Sequence, residues 1–212
     1  YERSFVLLPT IIMKDQDILL KTLELASRLG LRSLSLSDIA KECGISKSTL
    51  YSHFESKENL FERLYLFLRE KAKERNNIPP VDYNALFKDR TLKEILRTVT
   101  SSYSSMVHDK DLNAFYRVVL SEKSFSPIAA SIYTEETNTM LLATRNLFYA
   151  LSSKGLAHFS DVDNEAMVFA FTFHSILVLE EDDRTAGTAV SEGLLNSFLE
   201  YFSSIHSKGK TQ

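Results

Sequence analysis

The chain has 212 residues, of which 44% are hydrophobic, with six glycines, four prolines and a formal net charge of −3. That length can bury a core in one or two domains, and the low glycine and proline content favours a mostly helical, soluble protein. The near-neutral balance argues against a histone-like coat on nucleic acid. The lack of a glycine-rich phosphate loop, HExxH, GxSxG or paired-cysteine metal motif argues against an enzyme, a cofactor or a metal site.

From the N-terminus, Phe5 to Met13 is an apolar run interrupted by Pro9 and Thr10. It is too short for a membrane span and lacks a signal-peptide layout. Residues 1–13 therefore read as an extension of unknown role. Met13 is one candidate natural start; an N-terminal arm touching the minor groove, with only Arg3 and Lys14 as positive charges, is the alternative. No segment reads as long enough to cross a membrane, and no membrane partner is expected.

The next stretch, Ser35 to Lys57, carries the densest local signals. Ser35 and Asp38 have capping-box spacing, and Leu34 and Ile39 have staple spacing. Gly44 stands where a helix would turn left-handed. Ser46 is a second N-cap, with Ile45 and Leu50 again at staple spacing. A helix over Lys47–Phe54 is too short to stand alone, so Leu50 and Phe54, at i and i+4, supply an inward face. Lys47, Ser48, Thr49, Tyr51, Ser52 and His53 are left outward, and Ser56 caps a further helix from Lys57. This is a helix-turn-helix.

Such a motif presents the N-terminal end of its second helix to the major groove. Lys47 and Ser48 lie at that end and suit base edges. Thr49, Tyr51, His53 and Lys57 are donors suited to phosphate oxygens. Lys14 to Lys57 holds seven basic and six acidic residues, so any positive field is local. The other reading of the corner is an ordinary polar surface, or a head that binds a protein partner within a helical dimer. Cys43 is the one cysteine. It excludes an internal disulfide, fits a reducing cytoplasm, and reads as a buried small hydrophobe rather than a redox sensor.

The matching elements are Ile18, Leu25 and Gly30, then Ser35 to Ala40, Gly44 to Phe54, and Ser56-Lys57-Glu58 with Leu60. Over about residues 18–68 they resemble the DNA-binding domain of the TetR/AcrR family of bacterial transcription regulators. The resemblance implies that Lys47, Ser48 and Ser52 face base edges. It implies that Ser35, Thr49, Tyr51, His53 and Lys57 hold the phosphate backbone. Thr22 stands where the family carries alanine and Ala26 where it carries a large aromatic; both are expected inside the head.

Helix 4 is expected from Lys57 to about Arg75, with Leu60, Phe61, Leu64, Phe67 and Leu68 on its apolar face. Pro79 and Pro80 mark the boundary that follows. The remainder reads as five helices: Thr91–His108, Asp111–Ser121, Ser126–Ser153 with Pro127 at its first position, Asp161–Glu180 and Ala186–Ile205. Glu180 to Asp183 reads as a solvated turn rather than a cation cluster. The last two helices carry an apolar segment, MVFAFTFHSILVL, and a stripe from Ala186 to Ile205. They are the expected homodimer interface, over about 161–181 and 186–206; the alternative is that they only close the monomer core. The resemblance implies a four-helix bundle of two helices from each chain.

The expected fold is all-α: a head and connecting helix over 14–75, and an effector-binding and dimerisation domain over 76–212. The resemblance implies a repressor that reads a pseudo-palindromic operator as a dimer and is released when an effector moves helix 4. Tyr103, Met106, Phe115, Tyr116, Met140, Phe148, Phe169, Phe173 and His174 are candidate lining for a small apolar or aromatic effector, although rings at helical spacing also serve as plain core.

Overall fold

In a computed structural model of the chain, the described residues are 14–76, 81–107 and 109–207, without the side chains of 72–76, 106–107, 181, 184 and 185. The N-terminal extension (1–13) and the segment 77–80, with Pro79 and Pro80, lie outside the described residues. Among the described residues there are ten α-helices, one 3-10 turn at Leu31–Ser33 and no strand, so the fold is all-α.

The head opens with α1 (Asp15–Leu29), which buries Ile18, Leu19, Thr22, Leu23, Leu25 and Ala26. Thr22 Oγ1 donates to the Ile18 carbonyl at 2.7 Å, which satisfies a hydroxyl where the family carries a methyl. Gly30 follows at φ 77°, and a Cβ there would come within 3.3 Å of the Glu122 carboxylate. Helices α2 (Leu36–Cys43) and α3 (Lys47–His53) follow, then α4 (Lys57–Asn76). Leu50, Phe54, Leu60, Phe61, Leu64 and Leu68 are buried as their spacing requires, and Phe67 is half-buried. Cys43 is buried, and burial pushes its thiol up, so it stays a protonated hydrophobe.

Beyond α4 come α5 (Tyr83–Phe87), α6 (Leu92–Val107), α7 (Lys110–Glu122), α8 (Pro127–Ser153), α9 (Val162–Ala186) and α10 (Val190–His206). Three sequence expectations need correction. A short α5 exists, started by Asp82, whose carboxylate accepts from the Asn84 and Ala85 amides. Second, Glu180–Asp183 is not a solvated turn but part of α9, which runs on to Gly187 at φ 72°. Asp183 is buried, accepting from the Thr188 hydroxyl and, at 2.7 Å, from the Ser191 amide. Glutamate is a good helix former, and the left-handed glycine supplies the stop. Third, Val162–Glu180 is long and apolar enough to cross a membrane by length and composition. Its Ala166, Phe169, Ala170, Phe173 and Ile176 are buried, while Met167, Val168, Phe171 and Val178 are exposed. A bundle helix covered on two sides has the same composition.

By packing, the chain divides into two compact units: Tyr1–Lys71 with Lys110–Ile132, and Ala72–Asp109 with Tyr133–Gln212. In the first, α7 packs on α1, and Phe115 meets Phe61 and Tyr65 of α4 at a tilt, with ring separations of 5.3 and 5.6 Å. In the second, Phe148, Phe159, Phe169 and Phe202 build an aromatic core, Phe148 and Phe159 lying parallel at 4.5 Å. This partition by packing differs from the functional division expected after residue 75, because α7 uses its apolar face on α1 and α4.

Candidate nucleic-acid interface

Three serines place the helices of the head. Ser35 Oγ donates to Asp38 Oδ2 at 2.6 Å and accepts the Asp38 amide at 3.2 Å, while the same carboxylate accepts the Ser35 amide. Those bonds hold the Asp38 carboxyl below its usual range. Gly44, at φ 69°, turns the chain, and no heavy atom stands within 4 Å of where its Cβ would lie. Ser46 then caps α3 by accepting the Thr49 amide at 3.0 Å, and Ser56 caps α4 through the Asn59 amide. With Leu50 fully buried below, the opposite face of α3 is turned to solvent: Lys47, Ser48, Thr49, Tyr51 and Ser52 are all exposed.

The side chains on that face differ in what they can still bond. Tyr51 is 48% exposed, and the Lys47 ammonium sits 5.8 Å from its ring centroid. Ser48 and Thr49 hydroxyls both lie within 2.8 Å of Ser46 Oγ, which has one hydrogen to give and also accepts the Thr49 amide. Ser52 donates its hydrogen to the Thr49 carbonyl at 2.7 Å, which leaves it as an acceptor. Ser35 spends its hydroxyl and its amide in the capping box. The Lys57 ammonium donates to the Leu31 and Leu34 carbonyls at 3.4 and 3.2 Å, leaving one of its three hydrogens.

His53, half-buried, is tied to other helices: Nδ1 lies 2.6 Å from Asp15 Oδ1, and Arg63 bonds both Asp15 and the His53 carbonyl. Partial burial pushes the Asp15 carboxyl up, but the bonds from Arg63 and His53 outweigh it and hold the group below its usual value. Neither Asp15 nor Arg63 is marked by any motif, and their distance in sequence from His53 and from each other hides the cluster.

The candidate effector residues fall into both units. Phe115 and Tyr116 belong to the first, where Phe115 is fully buried core. Phe148 and Phe169 lie in the aromatic core of the second. Tyr103 meets Phe173 edge-on at 5.9 Å, His174 Nε2 lies 3.5 Å from the Tyr133 hydroxyl, and Met140 is buried. Tyr133 was not singled out in the sequence, although it stands seven residues before Met140 on α8, two turns along the same face. The side chain of Met106 lies outside the described residues. No group of three or more potential metal ligands occurs among the described residues.

A family profile described as "Bacterial regulatory proteins, tetR family" matches residues 18–64, which span α1 through the first two turns of α4. Among solved structures, a TetR-family transcriptional regulator from Mesorhizobium loti MAFF303099 aligns with TM-score 0.66 at 21% identity, over 91% of this chain and 96% of that one. Salmonella enterica GusR aligns with TM-score 0.66 at 22% identity, over 90% and 95%. The SmeT–triclosan complex aligns with TM-score 0.65 at 15% identity, over 92% of each chain. At these identities the structures establish the fold, and the profile establishes the head. Residues 18–64 form a helix-turn-helix DNA-binding head of the tetR family of bacterial regulatory proteins, and the chain carrying it has the fold of TetR-family regulators.

Proposed function

We propose that the protein is a ligand-responsive repressor that binds a pseudo-palindromic operator as a homodimer and leaves it when a small apolar or aromatic effector binds. The carrying observation is the exposed polar face of α3, held by the Ser46 cap above a fully buried Leu50. Lys47 and Ser48 contact base edges, with Ser52 as an acceptor toward base amino groups. Thr49, Tyr51, His53 and Lys57 contact phosphates, and Ser35 does so only by giving up part of its capping box.

Dimerisation uses α9 and α10. Met167, Val168, Phe171 and Val178 on the first, and Val190, Leu194, Tyr201 and Ile205 on the second, are exposed apolar side chains. Covering them with a second copy removes an apolar surface that a monomer rarely leaves in water. Two heads related by a two-fold axis then read half-sites about 34–36 Å apart, or a multiple of that spacing. The effector is held near Tyr103, Phe173 and His174, with Tyr133 and Met140. SmeT, which shares the fold, is solved as a complex with triclosan. Release by a hundredfold needs a coupling of about 2.7 kcal/mol between effector and DNA.

Selection from random duplex DNA by the full chain, repeated with Tyr51→Ala, tests this reading. A two-fold symmetric motif is expected. Tyr51→Ala should bind it about tenfold or more weakly, as for loss of one hydrogen bond to a charged group. Recovery of no motif, with the variant behaving as wild type, would instead favour a head that binds a protein partner.

A further inference from the structure

Among the candidate contacts on α3, His53 is held by two other helices. Its Nδ1 lies 2.6 Å from Asp15 Oδ1 on α1. The second Asp15 oxygen accepts from Arg63 Nη2 on α4, and Arg63 Nη1 donates to the His53 carbonyl at 2.8 Å. The same guanidinium lies 4.8 Å over the Phe54 ring, so it cannot leave without breaking three contacts. Asp15 and Arg63 are the charged groups that face His53 from the helices packed around it; Glu55, just beyond α3, is exposed. A quarter of the His53 side chain remains accessible, and among the described residues nothing bonds Nε2.

A carboxylate can only accept, so the hydrogen of the short bond sits on Nδ1. A neutral imidazole carries one N–H, which leaves Nε2 as a bare acceptor. A phosphate oxygen is also an acceptor, so the neutral ring offers it nothing. The imidazolium alone has a second N–H to give. Resting on the reading of α3 as a DNA contact, we propose that Asp15 is a positioning residue. It fixes the His53 tautomer, so that His53 donates to a backbone phosphate only as the imidazolium and DNA binding takes up a proton. Arg63 keeps Asp15 from rotating away and anchors the C-terminal carbonyl of α3. Binding that takes up a proton weakens as pH rises.

The test uses the full chain and the duplex recovered by selection, with affinity measured at constant salt from about pH 5.5 to 8.5, where histidines change charge. Wild-type affinity is expected to fall about tenfold over that range, with a steepest slope of about half a proton. His53→Gln should remove the slope and, at the acid end, lower the salt dependence by about one phosphate contact. In Asp15→Asn the amide can turn its NH2 to Nδ1, so a neutral ring can carry its hydrogen on Nε2. That variant should bind with a flattened pH profile, and Asp15→Glu should restore the wild-type one. A flat wild-type profile, or a slope that persists in His53→Gln, overturns the proposal and leaves the DNA reading standing. So does an Asp15→Asn variant weakened by the same factor at every pH, which would make Asp15 structural only. A wild-type chain that binds no duplex at any pH overturns both readings.

Discussion

In the head, three serine caps, one left-handed glycine and a few buried apolar side chains account for α2, α3 and the start of α4. In the second unit, the join between α9 and α10 depends on buried Asp183, and the core on rings packed together from α8, α9, α10 and the loop that carries Phe159. The first region is built from signals that act within one or two turns. The core of the second is built from rings far apart in the chain. The consequence is that the head presents a polar face whose geometry, His53 excepted, is set locally, while the second unit leaves apolar faces whose partner the sequence does not name.

The largest effects expected come from removing a core side chain on each side. Phe148→Ala should cost about 3–5 kcal/mol and Leu50→Ala about 2–5 kcal/mol, because each leaves a cavity among fully buried neighbours. Urea unfolding followed by circular dichroism, with operator binding as a second readout, checks both. If the regions are separate in stability, Leu50→Ala abolishes DNA binding and leaves most of the helical signal in place. One shared transition shifted by either substitution would erase the distinction.

A matched pair gives a smaller and sharper comparison. Gly44 ends α2 and Gly187 ends α9, at φ 69° and 72°, and no heavy atom lies within 4 Å of where a Cβ would stand at either. Alanine therefore meets backbone strain and no clash, and each substitution should cost about 1–2 kcal/mol. Equal losses in urea midpoint would show that the two turns differ only in what surrounds them. A much larger loss at Gly187 would mean that Asp183 and Ser191 depend on that turn more than Ser35 and Ser46 depend on theirs.

The last expected effect is one of pH. Hydrogen bonds from Thr188 and Ser191 hold the Asp183 carboxyl down at about 2, against an ordinary value of 3.8. The folded state thus favours the ionised form. Its stabilisation is full above the ordinary value and is lost as pH falls from there toward about 2. Comparing urea midpoints of wild type and Asp183→Asn down through that window should show the gap between them closing with acid. A gap that stays constant would assign the role of Asp183 to shape alone.

Much of the head was legible in sequence because caps and periodicity act on neighbours. Ser35, Gly44, Ser46 and Ser56 each stand at the helix end that their chemistry suits. Cys43 is buried as a small hydrophobe. The candidate site was legible only as a set of residue types on one face. That Ser52 is left as an acceptor, or that Lys57 already holds two carbonyls, is fixed by bonds invisible in a residue string. At α9 the acidic run looked like a turn because charge suggests solvent. Helix propensity and the glycine stop carry the helix on to Ala186.

By itself the sequence determined the helical class, the helix-turn-helix, the buried face of α3 and the family of the head, since all of these rest on spacings within a few residues. Tertiary structure alone decided that α7 joins the head, that Phe115 and Tyr116 pack there while Phe173 and His174 lie in the other unit, and that Asp15 and Arg63 hold His53. The physical reason is range. A cap or a helical period is satisfied within a turn, whereas Asp15 meets His53 across 38 positions and Arg63 across 48, and only packing closes such loops.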